Sequence, residues 1–225
     1  MGQRSQIYVR VNDMAGRKFL APRYYQWNFG ERMVSRARHI LEWLKMYEGW
    51  PYSLCMGDNH EKLKKIMDTN FDYHDVVLGI DLIKEYKETV EYFKDRDEEP
   101  STFKESVFDG QDNNDGQLFI DVIVDYEHKN KKGYPKVTYK YAFFMDYDED
   151  HRKPLGPDEY MQADFRDDPN DPDYEPWRES SYFKECVKYT ERNIRYIEKH
   201  AQLMTQEEAL EFTAYNYLKD IMMEV

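Results

Sequence analysis

The chain has 225 residues, of which 40% are hydrophobic, 16% aromatic and 34% charged, and its formal net charge is −13. This content of hydrophobic and aromatic residues excludes an intrinsically disordered chain, and the length allows one large domain or two small ones. No apolar run approaches the roughly 20 residues of a membrane-spanning helix, and the N-terminus lacks the apolar core of a signal peptide. Because Cys55 and Cys186 have no metal or redox spacing, we expect a cytoplasmic protein in a reducing compartment.

Charge is distributed unevenly along the chain. Residues 1–49 carry nine Lys/Arg and four Asp/Glu, a net of +5, so residues 50–225 carry −18. The segment from Asp146 to Glu179 alone has thirteen Asp/Glu and four Lys/Arg, a net of −9. Such an asymmetry bears on the choice of partners more than on the fold.

Residues 1–50 predict a basic β-β-α module. Ser5–Val11 alternates apolar and polar residues, and Lys18–Trp27 is a second extended segment. Pro22 has no ladder N–H, so this second strand is expected at an edge or bulged. From Glu31 the apolar period becomes helical, and the stripe consists of Met33, Ala37, Ile40, Leu41, Leu44 and Tyr47. Arg32 and Arg36 are placed on a basic flank of this helix, with Arg38 and Glu42 paired on its outside.

Residues 51–100 predict a helical segment. A short helix is expected near Asn59–Asp68, capped by Asp58 or Asn59, and a longer one near His74–Lys94. The longer helix would bury Val76, Leu78, Leu82, Ile83, Tyr86, Val90 and Phe93. The acidic run before Pro100 ends it as a solvated connector.

Residues 101–147 predict an antiparallel β region. A strand is expected at Thr102–Phe108, a polar loop at 109–116, and a hairpin from Gln117–Tyr126 and Tyr134–Asp146. If Asp125 faces Lys136, Asp121 faces Lys140 on the same side of the sheet. On the other side the pairs are Val124–Val137, Val122–Tyr139, Ile120–Tyr141 and Leu118–Phe143. One register therefore satisfies both charge and burial.

Residues 148–176 predict an acidic loop with a helical turn at Pro157–Ala163, and residues 177–225 a C-terminal helical pair. The first helix of the pair runs from about Pro176 to Lys199. The second begins at Thr205, which forms a capping-box pattern with Glu208, and continues to Met222. The expected fold is thus α+β, with an N-terminal β-hairpin and helix, a central antiparallel hairpin or meander and the helical pair, in one compact domain.

Motifs for catalysis or metal binding are weak. The loop at 112–116 resembles the start of a calcium-binding loop. When Gly116 is aligned with the glycine of such a loop, Gln111 takes the first ligand position and Val122 the position of the bidentate Glu, so an Asx-rich turn is the better interpretation. Glu127-His128-Lys129 has the E-x-K pattern of metal-dependent nucleases, but it falls in a predicted turn. The six histidines are scattered without zinc spacing. We therefore predict no catalytic residues, no metal and no cofactor, with a metal-dependent nuclease using Glu127 as a lower-ranked alternative.

The basic helix offers a second alternative, a nucleic-acid-binding protein. Arg32, Arg36 and Arg38, beside the aromatics of the second strand, would contact phosphates and stack on bases. The aromatics in question are Tyr24, Tyr25 and Trp27. The net charge of −13 works against this function, and it favours arginines that stack on these aromatics and pair with the acidic body.

The acidic segment favours a third kind of function, mimicry of nucleic acid. Carboxylates presented to a Lys/Arg groove compete with phosphates through the same electrostatics. Such a mimic needs no catalytic residues. The candidate partner-binding residues are Asp148, Glu149, Asp150, Asp167, Asp168, Asp171 and Asp173.

Several sequence segments resemble a family of uncharacterised small proteins from phages and mobile elements of Gram-positive bacteria. They are the opening Met1–Val9, Tyr24-Tyr25-Gln26-Trp27-Asn28 with Gly30, and the helix from Arg32 to Arg38, followed by Asn113–Leu118 and Tyr141-Ala142-Phe143. The resemblance implies a phage accessory setting, in which acidic, non-enzymatic proteins block host defence, including CRISPR effectors. The leading expectation is therefore an anti-CRISPR-like inhibitor of a Cas9-type nuclease in the host cytoplasm.

Overall fold

The computed structural model describes residues 4–13, 16–28, 30–94, 96, 98–109, 116–145, 153–164, 172, 176 and 178–221. Within these residues a mixed six-stranded sheet carries helices on both faces, which confirms the α+β class. The strands are β1 (Ser5–Asn12), β2 (Lys18–Tyr25), β3 (Thr69–Asn70), β4 (Asp75–Val76), β5 (Ile80–Asp81), β6 (Gln117–Lys129), β7 (Pro135–Phe144) and β8 (Gln202–Leu203). The α-helices are α1 (Gly30–Lys45), α2 (Gly57–Asp68), α3 (Leu82–Phe93), α4 (Pro157–Asp164), α5 (Ser181–His200), α6 (Gln206–Ala214) and α7 (Leu218–Ile221).

The main sheet has the strand order β5-β2-β1-β6-β7-β8, and β3 and β4 form a separate pair. Strand β1 lies at its centre, antiparallel to β2 and parallel to β6. Its alternation places Ile7, Val9 and Val11 on one face and Tyr8 on the other, and all four are fully buried. Residues 5–25 therefore share one sheet with residues 117–144.

The hairpin β6–β7 has the register that the sequence predicts. Asp125 pairs with Lys136 and Asp121 with Lys140, and the apolar pairs run from Val124–Val137 to Leu118–Phe143. The polar face is not solvated throughout, however. Asp121 is 8% exposed, because the guanidinium of Arg10 on β1 binds its carboxylate at 2.7 and 2.9 Å.

Two hydrophobic cores lie on the two faces of the sheet. The first packs the sheet against α1, α2, α4 and α5, and it includes Leu41, Leu63, Tyr160 and Ile197. The second is aromatic and packs the sheet against α6 and the segment 103–108, with Phe119 stacked on Phe212 at 4.7 Å between ring centroids. None of the described helices combines the length and the apolar character that crossing a membrane requires.

The region predicted as one helix from His74 to Lys94 is mostly extended in its first part. Helix α3 begins only at Leu82, because the carboxylate of Asp81 accepts from the backbone N–H groups of Ile83 and Lys84 and caps it. Before it, Asp68 accepts from the backbone N–H of Gly79, and β5 pairs with β2. Val76 and Leu78, predicted to be buried, are exposed. Tertiary contacts override the apolar period here.

The strand predicted at Thr102–Phe108 is also wrong, since Glu105–Asp109 forms a short π-helical turn. Glu105 accepts from the backbone N–H and hydroxyl of Thr102, each at 2.8 Å, and this local bond favours a helical start. Phe103, Val107 and Phe108 all enter the second core, a spacing that a helical turn satisfies and a strand does not.

Other predicted boundaries shift by a few residues. The second strand ends at Tyr25, and its pairing with β1 runs through Pro22 without a bulge, while β5 covers it only at Arg23 and Tyr24. Helix α2 begins at Gly57 after Met56, ahead of the predicted caps Asp58 and Asn59.

At the C-terminus, α5 begins at Ser181 and not at Pro176, whose carbonyl instead accepts in a turn from Glu179 and Ser180. The predicted capping box of Thr205 and Glu208 is confirmed. The predicted last helix is broken between α6 and α7, where the buried Tyr217 donates its hydroxyl to the carbonyl of Phe212.

Candidate partner-binding site

The acidic residues predicted to bind a partner lie outside the described residues. They are Asp148, Glu149, Asp150, Asp167, Asp168, Asp171 and Asp173. What the structure does describe is the framework between and beside them, which consists of the end of β7, residues 153–164 with α4, and the chain from Arg178 onward.

Helix α4 is fixed firmly to the body of the protein. Tyr160 is fully buried and stacks on Phe143 of β7 at 4.8 Å between ring centroids, and its hydroxyl accepts from the backbone N–H of Gly30. Leu155 and Phe143 exchange two backbone hydrogen bonds of 2.9 and 3.2 Å. The predicted helical turn at 157–163 is therefore a real, anchored element of the fold.

Two cations that follow the acidic runs in sequence contact the first turn of α4. Lys153 comes three residues after Asp150, and its Nζ lies 3.5 Å from Glu159. Arg178 comes after the second run and forms ion pairs with Asp158 of α4 and Glu191 of α5. The hydrogen bond from Arg178 lowers the pKa of Glu191. Lys153 and Arg178 therefore both lie beside the start of α4.

The sequence analysis predicts Arg36 on a basic flank of α1. This prediction is wrong, because the side chain lies inside the protein. Its side chain is fully buried, and its guanidinium donates to the carbonyls of Met67 and Asp68 and to Oδ1 of Asn28, at 3.1, 3.4 and 2.7 Å. The guanidinium carbon also lies 5.4 Å from the ring centre of Tyr25. Burial lowers the pKa of Arg36. A phosphate in solvent has no access to this cation.

The other two arginines of α1 are paired inside the molecule. Arg32 forms an ion pair with Asp75 and lies over the ring of Tyr73 at 4.8 Å. Arg38 pairs with Glu42 at 3.2 Å, as predicted, and lies over the ring of Tyr196 at 5.4 Å. These contacts support the structural interpretation of the basic helix.

Two of the three aromatic residues predicted to stack on bases are buried or half-buried in the fold. Tyr25 is fully buried and Tyr24 is half-buried, packed against the second core. Trp27 alone of the three predicted stacking residues has a largely exposed ring, at 56%. The expected surface of arginines and stacked aromatics is therefore not formed around α1.

Asp72 gathers a polar cluster between α1 and α5 that contains the residue types of a hydrolase triad. Its Oδ2 accepts from Ser35 and Asn193, each at 2.7 Å, and lies 3.5 Å from Nε2 of His39. Burial alone would raise the pKa of Asp72, but the hydrogen bonds from His39, Asn193 and Ser35 lower it. The hydroxyl of Ser35 bonds to Asp72 and Asn70 and not to the imidazole, so no nucleophile and base are paired. The cluster joins two helices.

Glu127 and its neighbours lie at the exposed end of β6, not in a turn. Asp125 is occupied by the backbone N–H groups of Glu127 and His128 and by the imidazole of His128 at 2.7 Å. Within the described parts of the chain, no three His, Cys, Asp or Glu side chains come together as metal ligands would. Among these residues Glu127 therefore belongs to no group of three potential metal ligands.

A cleft of about 360 Å³ lies between the β1–β2 turn, α2, α3 and α7, and the sequence analysis did not single out its residues. Its apolar part includes Phe19, which meets the imidazole of His60 edge-on at 4.1 Å. Burial lowers the pKa of His60 to about 4, so the ring is neutral at neutral pH. The cations Lys18 and Lys64 are each paired with a carboxylate, Glu211 and Asp81, at 2.6 Å. These two cations are already neutralised within the protein.

Comparison with known proteins adds no family to this picture. No protein-family model, curated protein or solved structure matches the chain. The resemblance to small phage and mobile-element proteins therefore stays a prediction.

Proposed function

We propose that this protein is a non-enzymatic inhibitor that binds a nucleic-acid-binding protein of host defence, a Cas9-type nuclease, by presenting its acidic segment to a basic groove. The observation that carries the proposal is the net charge of −9 over residues 146–179, in a segment that holds a buried anchor helix, α4, at its centre. Because α4 is fixed to the fold, the acidic residues before and after it in the sequence lose less conformational entropy when they bind a partner.

The contacts of the arginines support this choice over the nucleic-acid-binding alternative. Four carboxylates from outside residues 1–49 form ion pairs with cations of this module, so its +5 is in large part neutralised within the fold; they are Asp68, Asp75, Asp121 and Glu211. Residues 146–179 cannot neutralise their own charge, since four Lys/Arg stand against thirteen Asp/Glu within the segment. The net charge available for a partner is negative.

The test is a binding measurement against an immobilised Cas9-type effector loaded with guide RNA. We expect binding that weakens steeply with salt and that competes with target DNA, because both ligands use the same cationic groove. A variant with Asp148, Asp150, Asp168 and Asp171 all changed to Lys should lose binding.

A matched control reverses four exposed carboxylates elsewhere, Glu85, Glu88, Glu98 and Glu99, and changes the net charge by the same amount. It should retain most of the affinity. Equal losses in both variants would show that only overall charge matters, and an affinity that is the same at 50 and 500 mM salt would refute mimicry. Failure of the wild-type protein to bind would remove this partner. Cleavage of plasmid DNA with Mg²⁺ or Mn²⁺, in contrast, would favour the metal-dependent nuclease.

A further inference from the structure

The tip of the β6–β7 hairpin carries a group of lysines that the fold does not neutralise. Lys129, Lys131, Lys132 and Lys136 are all exposed. The two carboxylates of the same stretch are Asp125, which binds His128, and Glu127. Lys131, Lys132 and Lys136 form no ion pair with any residue that the structure describes. In this respect they differ from the arginines of α1.

The tip holds a defined shape through its own hydrogen bonds. The carboxamide oxygen of Asn130 accepts from the backbone N–H groups of Lys132 and Tyr134, at 2.9 and 3.2 Å, and the N–H of Asn130 donates to the carbonyl of Tyr134 at 2.7 Å. Gly133 takes the left-handed conformation, with φ of +82°, that such a turn requires. The lysines are therefore displayed from an ordered turn.

Exposed aromatic rings lie next to these lysines. Tyr134 is 44% exposed, and a Cβ built on Gly49 would lie 3.4 Å from its ring. The residue after Gly49 is Trp50, which is 59% exposed and has its ring centroid 4.7 Å from that of Tyr52. The backbone N–H of Trp50 donates to the carbonyl of Tyr47, and the carbonyl of Trp50 accepts from the N–H of Ser53. These hydrogen bonds fix the backbone that carries the exposed ring.

We propose that Trp50, Tyr134 and the lysines of the hairpin tip form a binding surface for single-stranded nucleic acid. Exposed aromatic rings offer stacking platforms for bases, and unpaired lysines beside them neutralise the phosphates. This proposal is independent of the acidic-mimic function, because it uses other residues and another ligand.

Strand β7 separates the lysine tip from the end of the strand that precedes the acidic segment in sequence. Lys136 is the second residue of β7, and Phe144 is its last. Eight steps of about 3.3 Å along a strand place these two residues about 26 Å apart. The Debye length at physiological salt is about 8 Å, so charges at the Phe144 end of the strand are largely screened from the tip.

The experiment measures the fluorescence anisotropy of labelled 12-nucleotide single strands, U12 and dT12, with the full chain at salt concentrations from 25 to 150 mM. We expect binding of both strands, with a slope of log affinity against log salt of about −2 to −3, as three to four phosphate contacts require. Lys131→Glu with Lys132→Glu should reduce the affinity at least tenfold at 25 mM salt. Trp50→Ala and Tyr134→Ala should each weaken binding about fivefold or more, the loss of one stacked base.

The controls change the same residue types on α3. Lys84→Glu with Lys87→Glu has the same effect on net charge, and Tyr92→Ala removes a ring that is 60% exposed. Both should leave the affinity within twofold of the wild type. No binding by the wild type at 25 mM salt, or equal losses in the tip and control variants, would overturn the proposal. A wild type that binds neither strand but forms dimers that the Lys131/Lys132 variant dissociates would show that the tip receives the acidic segment of a second copy.

Discussion

Replacing Arg36 by alanine would remove the central cation of a buried network. The guanidinium satisfies the carbonyl of Met67 and the side chain of Asn28, and it lies 3.6 Å from Oδ1 of Asp75. The variant removes this donor from the carbonyl of Met67 and from Oδ1 of Asn28, both of which are buried, and it leaves a cavity against Tyr25, while Asp75 keeps its ion pair with Arg32. Because no solvent contact of Arg36 is lost, the whole effect falls on stability.

The expected cost follows from these contacts. Removing the donor from a buried acceptor costs about 1–3 kcal/mol, and with two such acceptors and the cavity of a large side chain the expected cost is about 3–5 kcal/mol. This is a large part of the roughly 5–15 kcal/mol by which domains are stable. Arg36→Lys keeps the charge but cannot donate in three directions from a planar group, so its cost should be about 1–3 kcal/mol. Arg38→Ala, which removes a surface pair with Glu42 on the same helix, should cost less than about 1 kcal/mol.

Urea unfolding followed by tryptophan fluorescence and far-ultraviolet circular dichroism measures all three variants. The order of destabilisation should be Arg36→Ala, then Arg36→Lys, then Arg38→Ala, with unchanged m-values. If Arg36→Ala does not fold, Arg36→Lys still tests the order. A loss of stability for Arg36→Ala no larger than that for Arg38→Ala would refute the buried network. Arg36 would then be available to a ligand, as the nucleic-acid-binding alternative requires.

Two further predictions concern the cleft and α6. Because the pKa of His60 is lowered from about 6.5 to about 4 by burial, its neutral form stabilises the fold above pH 6.5, and this contribution is lost as the pH falls toward 4. The free energy of unfolding of the wild type, measured by urea titration relative to His60→Gln, should therefore fall by about 2 kcal/mol between pH 7.5 and pH 5. If the difference in unfolding free energy between the two proteins stays constant with pH, the burial of this ring is contradicted. Thr205→Ala should cost about 1 kcal/mol by thermal or urea unfolding, because the hydroxyl caps α6 at the backbone N–H of Glu208, whereas Thr213→Ala at the far end of α6 should cost little. Equal effects of the two threonine changes would show that the capping box does not stabilise the helix.

The β6–β7 hairpin could be predicted because its information is local. Alternation fixes which side chains share a face, and the register that sets Asp125 opposite Lys136 and Asp121 opposite Lys140 also sets the apolar residues opposite one another, which a shift by one residue would not. The capping box of α6 is local in the same sense. It depends on two residues, Thr205 and Glu208, at a fixed spacing.

The segments 74–81 and 102–108 were predicted wrongly, because tertiary contacts compete with their apolar pattern, although Thr102 and Glu105 do give the second segment a local helix-start signal. The first is held by Asp68 and by the edge of β2, and the second by the aromatic core to which α6 contributes Phe212. Apolar periodicity in a short window cannot separate these states when a tertiary contact competes with it. The parallel pairing of β1 with β6 joins residues more than a hundred positions apart and leaves no local signal.

The burial of Arg36 could have been predicted, because its spacing from the apolar residues of α1 was visible in the sequence. It follows Met33 by three residues and precedes Ile40 by four, which places it on the buried stripe of α1 and not beside it. The charge of Arg36 favoured a position on the flank of α1, whereas the helical spacing places its side chain inside the protein. The aromatic part of the hairpin tip could not be predicted from the sequence, since only the fold brings Gly49, the residue before Trp50, to Tyr134.

The rigid hairpin gives the two proposed surfaces a common geometry. The lysine tip precedes β7 and the acidic segment follows it in sequence, and the rise of the strand places Lys136 and Phe144 about 26 Å apart. A target that exposes both a basic groove and a single strand of nucleic acid, as a guide-loaded nuclease does, could therefore engage both ends at once. Two sites joined by a stiff spacer bind more tightly than either alone only when the target matches the spacing. Lengthening the hairpin would then weaken binding to such a complex while leaving binding to a free oligonucleotide unchanged, a result that a protein with a single binding surface would not give.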